Sequence, residues 1–317
     1  MTVFEISAEL KKQSSVLIFS HNRPDGDTVG SATALRLALL SLGINADIVC
    51  ANEIPNKLSY LKGVTEYKTA VENAQKYSAF VSVDCSCEYM FSDLFGAFSK
   101  HQVTFNIDHH VSNSRYAKFN LVEQASATCE IIYRLILALG VNIDKDVADC
   151  LLTGIVTDTG AFYHDNVTAD TLEIASKLVK YGASLHDIIK YNFKNQSKER
   201  ASLYSKVISK MRYYLDDKIG VLIITKEDIE DCGAIQSMTE GFIDYPMTVD
   251  SVEVAISLLE VNKNRYKISL RSKGKVDVNE IASLYGGGGH VLASGALLNG
   301  YLEDIIDKLC FNVKQRL

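Results

Sequence analysis

Apolar residues in the first half of the chain cluster in short runs separated by longer stretches with helical spacing. Ile44 to Cys50, Ala79-Phe-Val-Ser-Val83 and Val103-Thr-Phe-Asn-Ile107 read as strands with polar residues interspersed, and Val16-Leu-Ile-Phe19 is continuously apolar. A continuous run of this length marks a strand buried on both faces, as in a parallel sheet. Ser31 to Leu42 is rich in Ala and Leu and stops before Gly43, which reads as a helix with a natural end. Helical spacing returns at 129–139, 147–156 and 171–181, and a further helix is expected over 201–214. Beyond Asp216 the pattern changes. Residues 219–225, 252–259 and 266–270 read as strands, 277–284 as a short helix and 302–313 as a final one. Strands alternating with helices predict an α/β fold. The expected organisation is an N-terminal parallel-sheet domain over 1–195, a helical linker over 196–215 and a smaller C-terminal α/β domain over 216–317.

Composition narrows the class. The 317 residues are 47% apolar and 23% charged, which suits a folded globular chain of two domains. The formal net charge of -6 disfavours a non-specific binder of long duplex nucleic acid. A small nucleotide remains open as a substrate, because two bound divalent ions would add about four positive charges at one point. The seven cysteines are odd in number and scattered, so reduced thiols and a cytoplasmic location are expected rather than a disulfide framework. Cys85 and Cys87 read as small packing residues after a strand, since no second pair completes a zinc site. The first ten residues carry acids and no long apolar core, so an export leader is not expected, and neither is a membrane span.

The polar residues that interrupt this pattern carry the chemistry. His21-Asn-Arg-Pro-Asp25-Gly-Asp27 places three potential metal ligands on a loop that leaves a strand and enters a helix. Pro24 is expected to stiffen the loop and Gly26 to allow a tight bend between the carboxylates. Asp27 also suits a helix N-cap. Asp84 follows an apolar strand directly. Asp108-His109-His110 follows another. Thr157-Asp158-Thr159-Gly160 follows the apolar stretch Leu151 to Val156, so Asp158 is expected to be partly buried, where a carboxylate needs a partner. In parallel sheets the ligand site lies at the carboxyl ends of the strands, which is where these residues fall. Six or seven ligand-type residues from four places fit two cations better than one. In the second half, Gly286-Gly-Gly-Gly289-His290, with Ser294 and Gly295 beyond, offers backbone N–H groups to a phosphate. Arg271-Ser272-Lys273 closes the preceding strand and adds a guanidinium suited to bidentate phosphate contacts.

These residues, in this order, resemble the DHH phosphoesterase superfamily with a C-terminal DHHA1 domain. The likeness runs from about Val16 to Ala296, and the stretches 269–278 and 240–246 are most similar to the NrnA-type branch, the bifunctional oligoribonucleases and pAp phosphatases of bacteria. The resemblance implies two divalent cations, Mn²⁺ before Mg²⁺ or Co²⁺. It implies one held by His21, Asp25 and Asp84 and the other by Asp27, Asp84, His109 and Asp158, with Asp84 bridging. It implies that His110 and Asp84 serve catalysis and that Arg271, Ser272, Gly288, Gly289 and His290 grip substrate phosphate in a cleft between the domains. The expected reaction is hydrolysis of short RNA or DNA oligonucleotides to mononucleotides, and of pAp to AMP, by attack of a metal-activated hydroxide. A homodimer is common in such families. Around Cys85-Ser-Cys87-Glu88 the chain departs from many relatives, which carry a further acid or an Arg nearby.

Several relatives compete with this reading. A phosphodiesterase acting chiefly on linear dinucleotides such as pApA shares every motif. A RecJ-like single-strand DNA exonuclease shares the core but is usually much longer. A membrane-bound cyclic-dinucleotide phosphodiesterase needs a membrane segment. A family II pyrophosphatase lacks the Gly286–His290 signature, and a non-catalytic nucleotide-binding protein would have lost ligand positions that are all kept here.

Overall fold

The computed structural model describes residues 1–317, the side chain of Ser92 excepted. The chain forms two compact units, Met1–Asn195 and Gln196–Leu317. The first contains, in order, α1 (Val3–Leu10), β1 (Ser15–Phe19), α2 (Gly26–Ser41), β2 (Asn45–Val49), β3 (Ala79–Val83), α3 (Phe95–Phe98), β4 (Thr104–Asp108), β5 (Phe119–Val122), α4 (Thr128–Leu139), α5 (Lys145–Asp158), α6 (Ala169–Lys180) and α7 (Leu185–Ile189). The second contains α8 (Lys198–Ser209), β6 (Arg212–Tyr214), β7 (Ile219–Ile224), α9 (Lys226–Asp231), α10 (Asp244–Met247), β8 (Val254–Asn262), β9 (Arg265–Ser272), α11 (Val278–Ser283), β10 (Gly288–His290), β11 (Ala293–Asn299) and α12 (Leu302–Lys314).

In the first unit five strands form a sheet in the order β2-β1-β3-β4-β5, every pair parallel. Alternation along each strand sorts its side chains to two buried faces. Val16, Ile18, Val81 and Val83 pack with α1, α2, α4 and α5, while Leu17, Phe19 and Phe80 pack with Phe91 and Phe98 on the other side. Both faces are therefore dry, and polar groups are pushed to the strand ends. The chain leaves β1 toward β2 on one side and β3 on the other, so the order reverses at β1. The ligand crevice of such a sheet lies there, beyond the carboxyl ends of the strands.

Helix α2 starts at Gly26, five residues before the helical pattern expected from Ser31. Its N-cap is Asp25, whose Oδ1 accepts from the N–H groups of Asp27 and Thr28. Asp27 is thus inside the first turn and is not the cap. Gly26 is not a bend residue either. A Cβ there would sit 2.3 Å from Thr157 Oγ1, and one at Gly30 would sit 2.4 Å from the Cys150 carbonyl. The two glycines, one turn apart, let α2 lie close against α5 and bring Asp27 to Asp158.

The second unit is a six-stranded sheet in the order β10-β11-β9-β8-β7-β6, in which only β7 and β8 run parallel. Its core lies between the sheet and α11 and α12, and a smaller cluster forms around Leu203, Val207, Leu222 and Phe242. The helix expected over 201–214 ends at Ser209, and Arg212–Tyr214 instead turns back to pair antiparallel with β7. Leu215, Asp216 and Asp217, all with positive φ, make that turn, a backbone that helical periodicity cannot reveal. Residues 288–290, at the end of the glycine run, form the edge strand β10. A Cβ at Gly287 would meet the Gly295 carbonyl at 2.2 Å and one at Gly289 the Ala293 carbonyl at 2.5 Å, so the run is glycine partly because the hairpin closes so tightly. Among the described residues no helix is long and apolar enough to cross a membrane.

Candidate metal centre and active site

The first unit brings seven of its polar residues together at the carboxyl end of the sheet. Asp84 follows β3 with φ 57°, a left-handed backbone that costs a non-glycine residue about 1 kcal/mol. Its N–H still donates to the Ile107 carbonyl (3.0 Å), so the strand ladder holds the strained residue in place. Its carboxylate is buried and faces two ways. Oδ2 lies 3.5 Å from His21 Nε2, and Oδ1 lies 3.6 Å from His109 Nε2. His21 Nε2 is also 3.6 Å from Asp25 Oδ1, and His109 Nε2 is 3.5 Å from Asp158 Oδ2. His21, Asp25 and Asp84 form one group whose ligand atoms lie close enough to hold a cation. Asp27, His109 and Asp158 form a second, and Asp84, His109 and His110 a third.

Main-chain and side-chain donors aim these groups. Asp27 is completely buried, and its two oxygens accept from the N–H groups of Cys129 (2.9 Å) and Thr128 (2.6 Å) at the start of α4. A helix N-terminus suits an anion there. Thr128 Oγ1 donates to Asp84 Oδ1 at 3.0 Å. His109 Nδ1 donates to the Ala125 carbonyl at 3.1 Å, which turns Nε2 toward the carboxylates. The segment 125–129 therefore orients Asp27, Asp84 and His109 together. Nothing in its sequence announces this, because three of its four contacts are made by main-chain groups. Asp108 points away from the cluster: its Oδ1 accepts from His110 Nδ1 at 2.7 Å, and its Oδ2 from Asn113 Nδ2 at 2.5 Å. It positions His110 rather than adding a ligand.

The electrostatics ask for cations. Burial, then the charges of Asp27, Asp25 and Asp108, push the Asp84 carboxyl well above its usual range. Burial pushes Asp27 up as well, and burial with the charges of Asp27 and Asp84 takes Asp158 up to about 10. Asp25 is the exception: burial opposes its charge, but His21 and the two amides of its cap outweigh that and hold it low. The hydrogen bond to Asp108 raises His110. His109 Nε2 is buried with no hydrogen-bond partner. A lone pair left bare in a dry, carboxylate-lined site is costly unless a metal takes it, and the O/N donor set suits Mn²⁺, Mg²⁺ and their like. These residues fit divalent metal.

A cavity of about 590 Å³ opens on this cluster and is also lined by Arg23, Tyr89 and Met90, none of which the motif pattern singled out.

In the second unit Arg271 lies on β9 directly across from Ala293 of β11, itself paired with His290, so Arg271 and the end of the glycine hairpin share one row of the sheet. The Arg271 guanidinium is half-buried, with Nε 3.7 Å from Asp244 Oδ1, and reaches a cavity of about 550 Å³ lined also by Lys267 and Ser269. Gly288, Gly289 and His290 are exposed. The Ser272 hydroxyl is buried and accepts from the N–H groups of Gly274 and Val276, so it is engaged in its own turn.

Comparison with known proteins agrees with this architecture. Residues 15–155 match the DHH family, N-terminal domain, and residues 216–316 match the DHHA1 domain. The bifunctional oligoribonuclease and PAP phosphatase NrnA of Thermus thermophilus is 33% identical over 96% of this chain and 91% of its own length. The chain belongs to the DHH family. Its NrnA relative in Bacillus subtilis is 26% identical over 94% of both chains. The crystal structure of an exopolyphosphatase-related protein from Bacteroides fragilis superimposes with a TM-score of 0.90 at 26% identity, covering 99% of this chain and 96% of that one. As a DHH phosphoesterase with a DHHA1 domain, the protein is a hydrolase.

Proposed function

We propose that this protein hydrolyses short oligoribonucleotides to mononucleotides and removes phosphate from pAp, using two divalent cations, preferentially Mn²⁺. The observation that carries this reading is Asp84, which offers Oδ2 to His21 Nε2 at 3.5 Å, beside Asp25, and Oδ1 to His109 Nε2 at 3.6 Å, the histidine that also faces Asp158. His21, Asp25 and Asp84 would hold one cation, and Asp27, Asp84, His109 and Asp158 the other. Bound there, the cations would polarise the phosphoryl oxygens, activate water and offset the charge that builds up at phosphorus.

The remaining work falls to the protein. His110, tied at Nδ1 to Asp108, keeps Nε2 free. It gives a proton from that atom to the leaving oxygen as the P–O bond breaks, so the product departs as a neutral hydroxyl. Segment 125–129 fixes the ligands before substrate arrives, so no reorganisation is needed at the reacting centre. In this reading residues 1–195 carry the metals and 216–317 bind the substrate phosphate through Arg271 and the main chain of Gly288 and Gly289, with His290 beside them; 196–215, expected as a linker, instead belongs to the second unit, adding α8 to its core and β6 to its sheet. The names of the relatives support the substrate class.

The test is product release by purified protein with Mn²⁺ from a five-nucleotide RNA, pAp, pApA and pyrophosphate, with an Asp84→Ala, His109→Ala double variant as control. AMP from the RNA and from pAp, lost in the variant, is expected. Phosphate from pyrophosphate alone would overturn the reading.

A further inference from the structure

The metal cavity has a second kind of wall that phosphate chemistry does not use. Tyr89 lines it and is 88% exposed, although it stands two residues before Phe91, which is completely buried. Phe91 packs against Phe98 and Tyr116 at ring separations of 5.2 and 5.4 Å and pins the turn Glu88–Leu94 to the body of the unit. The same turn is tied to the metal-binding loop, because the Asn22 N–H donates to the Met90 carbonyl at 2.7 Å. The Ser86 N–H and hydroxyl both reach Met90 Sδ, at 3.2 and 3.3 Å. Tyr89 is thus a large ring presented to water by a fixed backbone. An exposed aromatic of this kind, held beside a polar site, loses little entropy when a flat apolar group settles on it. Met90 adds a polarisable side chain to the same cavity, and Arg23 its one guanidinium. The volume of about 590 Å³ is that of a small-molecule site and exceeds what an isolated phosphate needs.

We infer that Tyr89, backed by Met90, is the stacking platform for the nucleobase of the nucleotide whose phosphate lies at the metal centre. This inference rests on the phosphoesterase reading above and refines it. The catalytic unit itself then selects base-bearing phosphates over bare ones. Stacking uses the face of a base and not its edges, so the selection tolerates all four bases, as complete degradation of mixed short oligonucleotides requires.

Two measurements on the full-length Mn²⁺-loaded protein test it. The first compares kcat/KM for pAp with that for the 3′,5′-bisphosphate of an abasic sugar. The second compares binding of AMP and of ribose 5-phosphate by calorimetry. Wild type should favour the base-bearing member of each pair roughly 5- to 150-fold. Tyr89→Phe should keep both ratios and Tyr89→Ala should bring both toward one. Ratios near one in wild type, or ratios that survive Tyr89→Ala, would overturn the inference. Binding ratios that behave as expected in a wild type that hydrolyses no phosphate ester would sustain the base site and refute the phosphoesterase reading instead.

Discussion

The two halves of the candidate machinery are built on opposite principles. In the first unit the functional groups are buried and over-determined. Both oxygens of Asp27 are held by main-chain N–H groups, and Asp84 is locked in a left-handed backbone by the strand ladder. In the second unit Gly288, Gly289 and His290 are exposed, and the half-buried Arg271 guanidinium is held by one hydrogen bond to the Leu270 carbonyl and a 3.7 Å ion pair with Asp244. The difference follows from what each half would bind. A pair of small cations demands fixed distances and repays the burial of several carboxylates, whereas a phosphate on a flexible nucleotide can be met by main-chain donors and one guanidinium that adjust on contact.

That contrast can be broken at its rigid end first. Asp84→Asn should lower kcat by about a thousandfold, since both cation sites share this residue. After chelation the same variant should melt at a higher temperature than wild type, because the buried repulsion centred on Asp84 is gone. A melting point that falls would show that the carboxylate is compensated by something other than metal.

At the adaptable end, Arg271→Ala should raise KM for pAp roughly tenfold or more while kcat changes little, as expected for the loss of a charge-assisted contact made equally before and during reaction. A kcat effect as large as that of Asp84→Asn would erase the distinction between the halves. Between them in mechanism, and comparable in effect to the second, stands Thr128→Val. It keeps the shape of the side chain, removes the hydroxyl that holds Asp84 Oδ1, and should weaken Mn²⁺ affinity by about 10-fold, up to about 100-fold, in a calorimetric titration. Unaltered affinity would mean that the hydroxyl does not position the ligand.

The same contrast explains what the sequence revealed. β1 and β3 were legible because strands buried on two faces must be largely apolar, and the ligands stood out as polar residues just after them. The start of α2 was hidden because Gly26-Asp27-Thr28 has loop composition, and its true reason, a glycine face packed on α5, is set by a helix more than a hundred residues away. β5, β6 and β10 escaped for a related cause. Each is three or four residues long, and β6 and β10 lie at sheet edges where partner strands, not local pattern, decide the conformation. The ligand-type side chains could be read from residue type. Their supports could not, because Ala125, Thr128 and Cys129 act largely through main-chain atoms, and Tyr89 is conspicuous only once its exposure is known.

The central claim is that one carboxylate, Asp84, serves two cations. The most direct measurement is equilibrium titration of metal-free protein with Mn²⁺, counting bound ions and following their magnetic coupling by electron paramagnetic resonance. The account predicts two ions per chain with the coupled signal of a bridged pair, and loss of that coupling in Asp84→Asn. One ion per chain, or two uncoupled ions that persist unchanged in Asp84→Asn, would contradict it.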